Sequence, residues 1–347
     1  MFDHALPPLR PPAPGRDTLG RTPRPPYDPS VVVALSLSSP SFLTPADIPA
    51  LQARPWPTPE SLCEQFGVTY EARSCRAADG HGIPLAVFRR IGDDSVGPGF
   101  VAIHGGGMIA GDRFSGAGTF LPALARHGGT LISVGYRLAP QYPAPTPVED
   151  CHTALAWVAD HARELRLDPS RLLLGGGSAG GGLAAGAMLL ARDRGGPALR
   201  GVQLACPMLD DRNNTVSTQQ FDVAVSWGGR SNAVGWGALL GSARGTDAVS
   251  AYDAPARAPW LGGLPPVQIT VGSADPFRDE DVAFASAIWR DGGDCELLVL
   301  PGGHHGYERD APDSSITRLT LTARRRWINR ILDPDDTSVV VPVPPPE

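Results

Sequence analysis

The segment Arg171-Leu-Leu-Leu-Gly175-Gly176-Gly177-Ser178-Ala179-Gly180 decides the fold of this chain. An apolar run ends in glycines, a serine follows, and a helix-like stretch of small residues begins at Ala179. Residues 176–180 fit the pattern Gly-x-Ser-x-Gly, which places a serine on a sharp turn between a strand and a helix. The neighbours of such a serine must be small because the turn strains the backbone. The segment therefore predicts a nucleophile elbow with Ser178 as the nucleophile.

The same stretch also satisfies Gly-x-Gly-x-x-Gly, the phosphate-binding turn of dinucleotide-binding proteins, within residues 175–180. That interpretation requires an acidic residue about 20 positions later, at the end of the next strand. Asp193 comes too early and belongs to a polar turn, while the next apolar run ends in Cys206. The elbow is therefore favoured, and a nicotinamide or flavin enzyme or a purely structural glycine turn stay as alternatives.

On both sides of this segment, short apolar runs alternate with helix-like stretches. Strands that alternate with helices pair in parallel and carry helices on both faces of the sheet. The sequence therefore predicts an α/β fold with a mostly parallel central sheet. The predicted strands are 99–103, 130–134, 171–174, 202–206, 267–271 and 296–300, and the predicted helices are 121–127, 148–167, 179–192 and 281–290.

Composition divides the chain into five parts. Residues 1–60 form a proline-rich N-terminal extension that ends in short helical patterns. Residues 61–206 and 263–332 carry the alternating strands and helices, and we predict that they form the catalytic core. Residues 207–262 interrupt this alternation with polar residues, glycines and three tryptophans, which indicates an insertion. The proline-rich tail, residues 333–347, is predicted to be disordered.

A second glycine-rich motif, His104-Gly105-Gly106-Gly107, follows the first predicted strand. It matches the loop that forms an oxyanion hole in lipases and esterases. We expect the backbone N–H groups of Gly106 and Gly107 to donate to an oxyanion, with Gly105 a less favoured donor. The Ala179 N–H, at the start of the helix after the elbow, is expected to be a further donor. His104 is expected to orient the loop.

A serine nucleophile requires a base, and the base requires an orienting carboxylate. In this kind of fold the chain order is serine, acid, histidine. After Ser178 the histidines are His304 and His305, and spacing does not decide between them. Asp275 follows the predicted strand 267–271 and is the favoured acid. The rival acids Asp279-Glu280 fall in the first turn of the next helix, where acidic residues commonly interact with the helix dipole.

These segments together resemble the bacterial hormone-sensitive-lipase family of α/β-hydrolase carboxylesterases. The resemblance covers about residues 28–332. It rests on six segments in the right order, residues 104–107, 136–140, 176–180, 264–266, 275–280 and 305–307. The histidine of the family directly precedes a Gly-Phe pair, which selects His305. The resemblance also implies a helical cap over the site, built from residues 1–60 and 207–262.

The resemblance implies a serine carboxylesterase that uses Ser178, His305 and Asp275 and requires no metal or cofactor. The insertion carries aromatic residues that would suit short-to-medium acyl or aryl esters; these residues are Phe221, Trp227 and Trp236. Packing of the cap on the core is an equal explanation for them. The alternatives are an acyltransferase, lactonase, amidase or cyclase of the same fold that acts on a specialised metabolite, or a non-catalytic ligand receptor.

Three positions depart from the family. The family usually has Asp where this chain has Gly177 and Gly135, and Glu where it has Gln141. All three changes remove negative charge from loops that the family places around the active centre. We therefore hypothesise that the site is adapted to an unusual substrate or reaction.

Composition excludes several other chemistries. All 30 basic residues are arginines, so no lysine is available for a Walker A motif, a Schiff base or a Ser-x-x-Lys pair. A net charge of −6 argues against nucleic-acid binding, and the run Arg324-Arg325-Arg326 is expected to be a solvated helix face.

Five widely spaced cysteines predict free thiols in a reducing compartment, not a disulfide frame or a zinc site. No signal peptide or membrane span is apparent, so we expect a cytoplasmic protein. A homodimer is possible, although no feature of the sequence demonstrates one.

Overall fold

The structure is a computed structural model that describes residues 22–37, 39 and 41–333. The predicted disordered tail lies outside the described residues, apart from Asp333. Residues 1–21 of the N-terminal extension also lie outside them. The described residues contain one sheet in the order β1-β2-β4-β3-β5-β6-β7-β8. Its strands are β1 Val68–Arg76, β2 Gly82–Arg90, β3 Gly97–Ile103, β4 Thr130–Val134, β5 Leu167–Gly177, β6 Gly201–Ala205, β7 Val267–Ala274 and β8 Cys295–His304.

The strands from β3 to β8 pair in parallel, which confirms the predicted α/β class. The sequence analysis did not find β1 and β2, which pair antiparallel with each other at one edge of the sheet. An edge strand is partly solvated and tolerates charges and proline. On the edge strand β1, Glu71 and Arg73 therefore hide the apolar pattern. β2 lies between β1 and β4, and the sequence analysis missed its buried run at residues 85–88.

Helices cover both faces of the sheet, and four of them correspond to the predicted ones. The predicted helix 148–167 ends earlier than expected, at Asp160, because Leu167 already begins β5. The helices are α1 Pro29–Ser36, α2 Ile48–Gln52, α3 Pro59–Phe66, α4 Leu121–His127, α5 Thr146–Asp160, α6 Ala179–Arg194, α7 Val216–Gln220, α8 Gly229–Leu240, α9 Arg278–Arg290, α10 Tyr307–Asp310 and α11 Ser315–Leu332. Among the described residues, no helix has both the length and the apolar character needed to cross a membrane.

The core lies on both faces of β3, whose seven residues are all buried. On one face, Phe100 belongs to a cluster with Phe120 and Trp327, which places α11 against the sheet. On the other face, Val101 and Leu183 belong to a larger cluster that contains α5 and α6. The two clusters fix the central strands, whose carboxyl ends carry the glycine-rich motifs.

The N-terminal segment and the insertion touch each other above the core. Ser41 forms an isolated antiparallel bridge with Ala224, and the Leu43 N–H donates to Ser231 Oγ at 3.0 Å. The insertion also reaches the end of β8, where Ser226 Oγ donates to the backbone oxygen of His305. These contacts join the two segments that the family resemblance assigns to a cap.

A buried ion pair fixes the loop after β4. The Arg137 guanidinium donates to both carboxylate oxygens of Asp150, at 2.9 and 2.7 Å, and the Arg137 N–H also donates to Asp150. The Asp150 side chain is 1% exposed. Arg137 also pairs with Asp79, whose side chain is 57% exposed. The loop carries Tyr136, which donates to the backbone oxygen of His104 at 2.9 Å, so the ion pair indirectly supports the glycine-rich loop.

Asp150→Ala should lower the free energy of unfolding by about 3–5 kcal/mol, because it leaves a buried guanidinium without its main partner. Asp79→Ala removes an exposed partner of the same arginine and should cost at most about 1 kcal/mol. Denaturant titration of both variants measures the difference. Equal effects of the two substitutions would contradict the proposed role of Asp150.

Candidate active site

The backbone at Ser178 has the strained conformation that the glycine pattern predicts. Ser178 has φ 58° and ψ −127°, and its N–H donates to the Ala205 oxygen at 2.8 Å. A Cβ at Gly176 would lie 2.4 Å from the Gly180 oxygen, and a Cβ at Gly180 would lie 2.2 Å from the Ile103 oxygen. Both glycines are therefore required by the close approach of β3, the turn and α6.

The neighbouring glycines should respond differently to a methyl group. Gly176→Ala should destabilise the protein by about 3 kcal/mol or more, because rigid backbone surrounds the new Cβ. Gly177→Ala should leave the melting temperature nearly unchanged, because the nearest atom to its Cβ would be Ala205 Cβ at 3.7 Å. Thermal unfolding of both variants checks this difference, and comparable losses would contradict it.

Ser178, His305 and Asp275 lie in one hydrogen-bonded line. Ser178 Oγ is 2.9 Å from His305 Nε2, and His305 Nδ1 is 2.9 Å from Asp275 Oδ2. The other oxygen of Asp275 accepts the Phe277 N–H at 2.9 Å. The Phe277 ring meets the imidazole edge-on, with the ring centroids 4.9 Å apart. These contacts hold both the carboxylate and the imidazole.

His304 points elsewhere, so geometry separates the two adjacent histidines that spacing did not. His304 Nε2 is 3.1 Å from Asp310 Oδ2, and its Nδ1 is buried with no hydrogen-bond partner in the described part of the chain. The rival acids also have other contacts. Asp279 accepts the Ser217 N–H at 2.7 Å, and Glu280 accepts the Leu209 N–H at 2.7 Å. Both acids therefore accept hydrogen bonds from backbone N–H groups near the start of the insertion and not from His305.

The environment of His305 favours its protonated form. Burial lowers the pKa of His305, but the charges of Asp275 and Cys206 and the hydrogen bonds to both outweigh burial and raise the pKa well above its usual value. In contrast, burial lowers the pKa of His104 to about 4. His104 is therefore neutral near pH 7, whereas His305 can both accept and hold a proton.

His104 and Tyr136 shape the glycine-rich loop. His104 Nδ1 is 2.8 Å from the Gly105 oxygen, and its ring stacks on Tyr136 with centroids 4.1 Å apart. Gly106 and Gly107 have φ values of 115° and 63°. Within residues 22–37, 39 and 41–333, neither their N–H groups nor that of Gly105 have an acceptor. These donors stay available for a ligand oxygen.

The glycine-rich loop at residues 104–107 and the elbow at residues 176–180 are in direct contact. A Cβ at Gly105 would lie 2.9 Å from the Gly177 oxygen and 3.4 Å from Ser178 Cβ. A Cβ at Gly107 would lie 2.4 Å from the Trp227 ring. The Ala179 N–H, at the first position of α6, lies beyond the reach of intrahelical acceptors, as is usual for a helix N-terminus. Gly105, Gly106 and Gly107 border the same cavity as Ser178, and Ala179 follows the serine in the chain.

A cavity of about 1100 Å³ opens at Ser178 and is bordered by Trp227. Of the three aromatic residues predicted to line it, Trp227 alone does so. Phe221 is fully buried and its ring lies 6.1 Å from Tyr27, while Trp236 is fully buried in the core. For these two residues the packing explanation is the better one. The cavity extends between α3, α4 and α11 and is lined there by Trp56, Leu62, Phe66, Phe114, Leu321 and Ile328, which the sequence analysis did not identify.

The arginine run on α11 is not a uniformly solvated face, so that expectation is partly wrong. The Arg324 side chain is 11% exposed and donates to both oxygens of Glu308 and to Thr270 Oγ1. Arg325 is exposed at the edge of the cavity. Arg326 is 62% exposed and pairs with Glu296, as expected of a surface residue. The helical repeat turns Arg324 toward the sheet.

The three departures from the family have different surroundings. Position 177 has room for a larger side chain, as shown above. A Cβ at Gly135 would lie 3.0 Å from Pro84 Cγ, so an acid there requires movement of β2. Gln141 exchanges hydrogen bonds with Gln52 at 3.0 and 3.1 Å and thereby ties this loop to α2. The hypothesis of an unusual substrate stays a prediction.

Comparison with known proteins shows the fold family of this chain. The sequence profile of the alpha/beta hydrolase fold matches residues 100–309, which is more than half of the chain. Esterase LipI of Mycobacterium tuberculosis is 31% identical over 216 residues, which are 62% of this chain and 67% of LipI. A bacterial heroin esterase superposes with a TM-score of 0.80 at 33% identity and covers 88% of this chain and 98% of its own.

Brefeldin A esterase, a bacterial homologue of human hormone-sensitive lipase, has a TM-score of 0.76 at 24% identity and supports the fold. It covers 92% of this chain and 99% of its own. The chain therefore belongs to the α/β-hydrolase fold family, and within it to the carboxylic ester hydrolases.

Proposed function

We propose that this protein is a serine carboxylesterase that hydrolyses short-to-medium acyl or aryl esters through Ser178, His305 and Asp275. The hydrogen-bonded line from Ser178 Oγ through the imidazole to Asp275 is the observation that carries the proposal. Hydrogen bonds to both imidazole nitrogens fix the ring, and the serine at the elbow opens into the cavity.

In the acylation step, Ser178 Oγ bonds to the ester carbonyl carbon while His305 Nε2 takes the hydroxyl proton. The N–H groups of Gly106, Gly107 and Ala179 face the negative oxygen that develops, and the loss of one such donor typically costs about 3 kcal/mol. The carbon–alkoxy bond then breaks, and His305 gives its proton to the leaving alcohol. In the second step His305 takes a proton from water while the water oxygen bonds to the acyl carbon. The bond between this carbon and Ser178 Oγ then breaks, the acid leaves, and His305 returns the proton to Ser178.

The cavity wall supports the proposed substrate class. The Trp227 ring covers Gly107 and therefore limits the space beside the proposed oxyanion donors. Trp227 Nε1 donates to Asn232 Oδ1 at 3.3 Å, which holds the indole in place. A fixed indole next to the serine favours acyl groups that are short or flat. The same wall would suit an aryl group through ring contacts.

Ser178→Ala should abolish hydrolysis of p-nitrophenyl acetate, butyrate, octanoate and laurate, and Asp275→Asn should lower kcat by about 10⁴-fold. The wild type should turn over the short esters fastest. Asp279→Asn, at the rival acid, should keep the activity. Full activity of Ser178→Ala, or equal losses at Asp275 and Asp279, would refute the assignment. Product analysis in the presence of an added alcohol separates hydrolysis from acyl transfer.

The pH dependence follows from the raised pKa of His305. The protonated imidazole cannot take the serine proton, so kcat/KM should fall as the pH decreases through this pKa. The midpoint should lie above the unperturbed value of about 6.5. Asp275→Asn should move the midpoint to lower pH, because it removes the charge that raises the pKa. Initial rates between pH 5 and 9 measure both midpoints, and an unchanged midpoint in the variant would contradict this explanation.

Trp227→Ala should shift the preferred acyl chain toward longer esters, because it opens the cavity wall beside Gly107. Trp260→Ala is the matched control, since the Trp260 side chain is 54% exposed and contacts Arg192 outside the cavity. The ratio of kcat/KM for the octanoate and acetate esters should rise in the first variant only. The same ratio in both variants would exclude Trp227 as a determinant of chain length.

A further inference from the structure

A third potential ligand lies beside the proposed catalytic pair. The Cys206 thiol, one imidazole nitrogen of His305 and one carboxylate oxygen of Asp275 all lie within 4.8 Å of one another. Cys206 follows β6 in a strained turn with φ 38°, and its N–H donates to the Thr270 oxygen at 2.7 Å. The backbone therefore holds the thiol in this position, and the proposed ester hydrolysis does not use it.

The three atoms form a donor set of defined chemical preference. Thiolate sulfur, imidazole nitrogen and carboxylate oxygen are the protein ligands of Zn²⁺. Mg²⁺ and Ca²⁺ prefer oxygen ligands and are disfavoured by sulfur. Three protein ligands leave a fourth tetrahedral position for water, as in other open zinc sites. The cluster therefore discriminates between thiophilic and hard cations.

A buried carboxyl group without hydrogen-bond partners interacts with the cluster. Asp281 is fully buried, and neither of its carboxylate oxygens has a hydrogen-bond partner in the part of the chain that the structure describes. Burial raises the pKa of Asp281 well above its usual value, and the acids Glu280 and Asp275 and the Cys206 thiol add to this effect.

We propose that Cys206, His305 and Asp275 form a binding site for a thiophilic divalent cation such as Zn²⁺, and that occupation of this site reversibly inhibits the enzyme. The inhibition rests on the proposed function, whereas the binding does not. Zinc–ligand distances of about 2.0–2.3 Å require the three atoms to move somewhat closer together.

Binding at Nδ1 of His305, the nitrogen that faces Asp275, disables the base. A cation at Nδ1 displaces the hydrogen that Asp275 accepts, and the neutral imidazole then carries its hydrogen on Nε2. Nε2 therefore has no lone pair for the Ser178 proton. The thiol and a protonated imidazole each release one proton to solvent or buffer as the cation binds.

The first experiment measures inhibition of p-nitrophenyl butyrate hydrolysis by zinc chloride in a chelator-free buffer. Wild-type activity should fall with added Zn²⁺ and return on addition of EDTA, while Mg²⁺ should have no effect. Cys206→Ala should keep most of its basal activity and require about tenfold or more Zn²⁺ for half-inhibition. Cys63→Ala is the control for a thiol outside the cluster and should be inhibited like the wild type.

The second experiment does not depend on activity. Cd²⁺ is added to Ser178→Ala protein, and the ultraviolet absorption of the cadmium–thiolate bond is recorded. The signal should be lost when Cys206→Ala is added to this background, and should persist with Cys63→Ala. Equal zinc sensitivity of Cys206→Ala and wild type, or a cadmium signal that survives Cys206→Ala, would overturn the proposal. Absence of ester turnover with an intact cadmium signal would refute the esterase function alone.

Discussion

The close approach of three backbone segments at the carboxyl ends of β3 and β5 is the constraint on which the rest of the site depends. Gly180 at the start of α6 lies against the Ile103 oxygen, and Gly105 lies against the Gly177 oxygen, so a methyl group at either position meets backbone. Only glycine permits this approach. It places the strained serine beside a loop of free N–H donors, and it therefore creates a nucleophile and an anion site in one place.

The remaining groups are held by contacts from outside this junction. Asp275 and His305 come from the ends of β7 and β8, and the insertion binds the backbone of His305 through Ser226. Parallel strands end at one edge of the sheet, so residues far apart in the chain meet there. The same geometry brings Cys206, at the end of β6, to the imidazole. In our two proposals, one edge of the sheet thus holds a hydrolytic centre and a cation site that blocks it.

The sequence predicted all six strands that pair in parallel and missed the antiparallel strands β1 and β2. Buried strands must be apolar on both faces, and this leaves a clear pattern, whereas β1 contains Glu71 and Arg73 because one edge is open to solvent. The aromatic residues of the insertion show a similar limit. Burial of Trp236 and exposure of Trp227 to the cavity depend on how the insertion packs, and composition does not encode that choice.

By itself, the sequence determined the glycine-dependent turn, the chain order of serine, acid and histidine, and the absence of lysine chemistry. These follow from backbone sterics and residue chemistry, which are local. The tertiary structure decided which arginine of the run is buried and that Cys206 lies beside His305. Each of these depends on the direction of a side chain and on contacts between residues distant in the chain, which only the packing of strands and helices establishes.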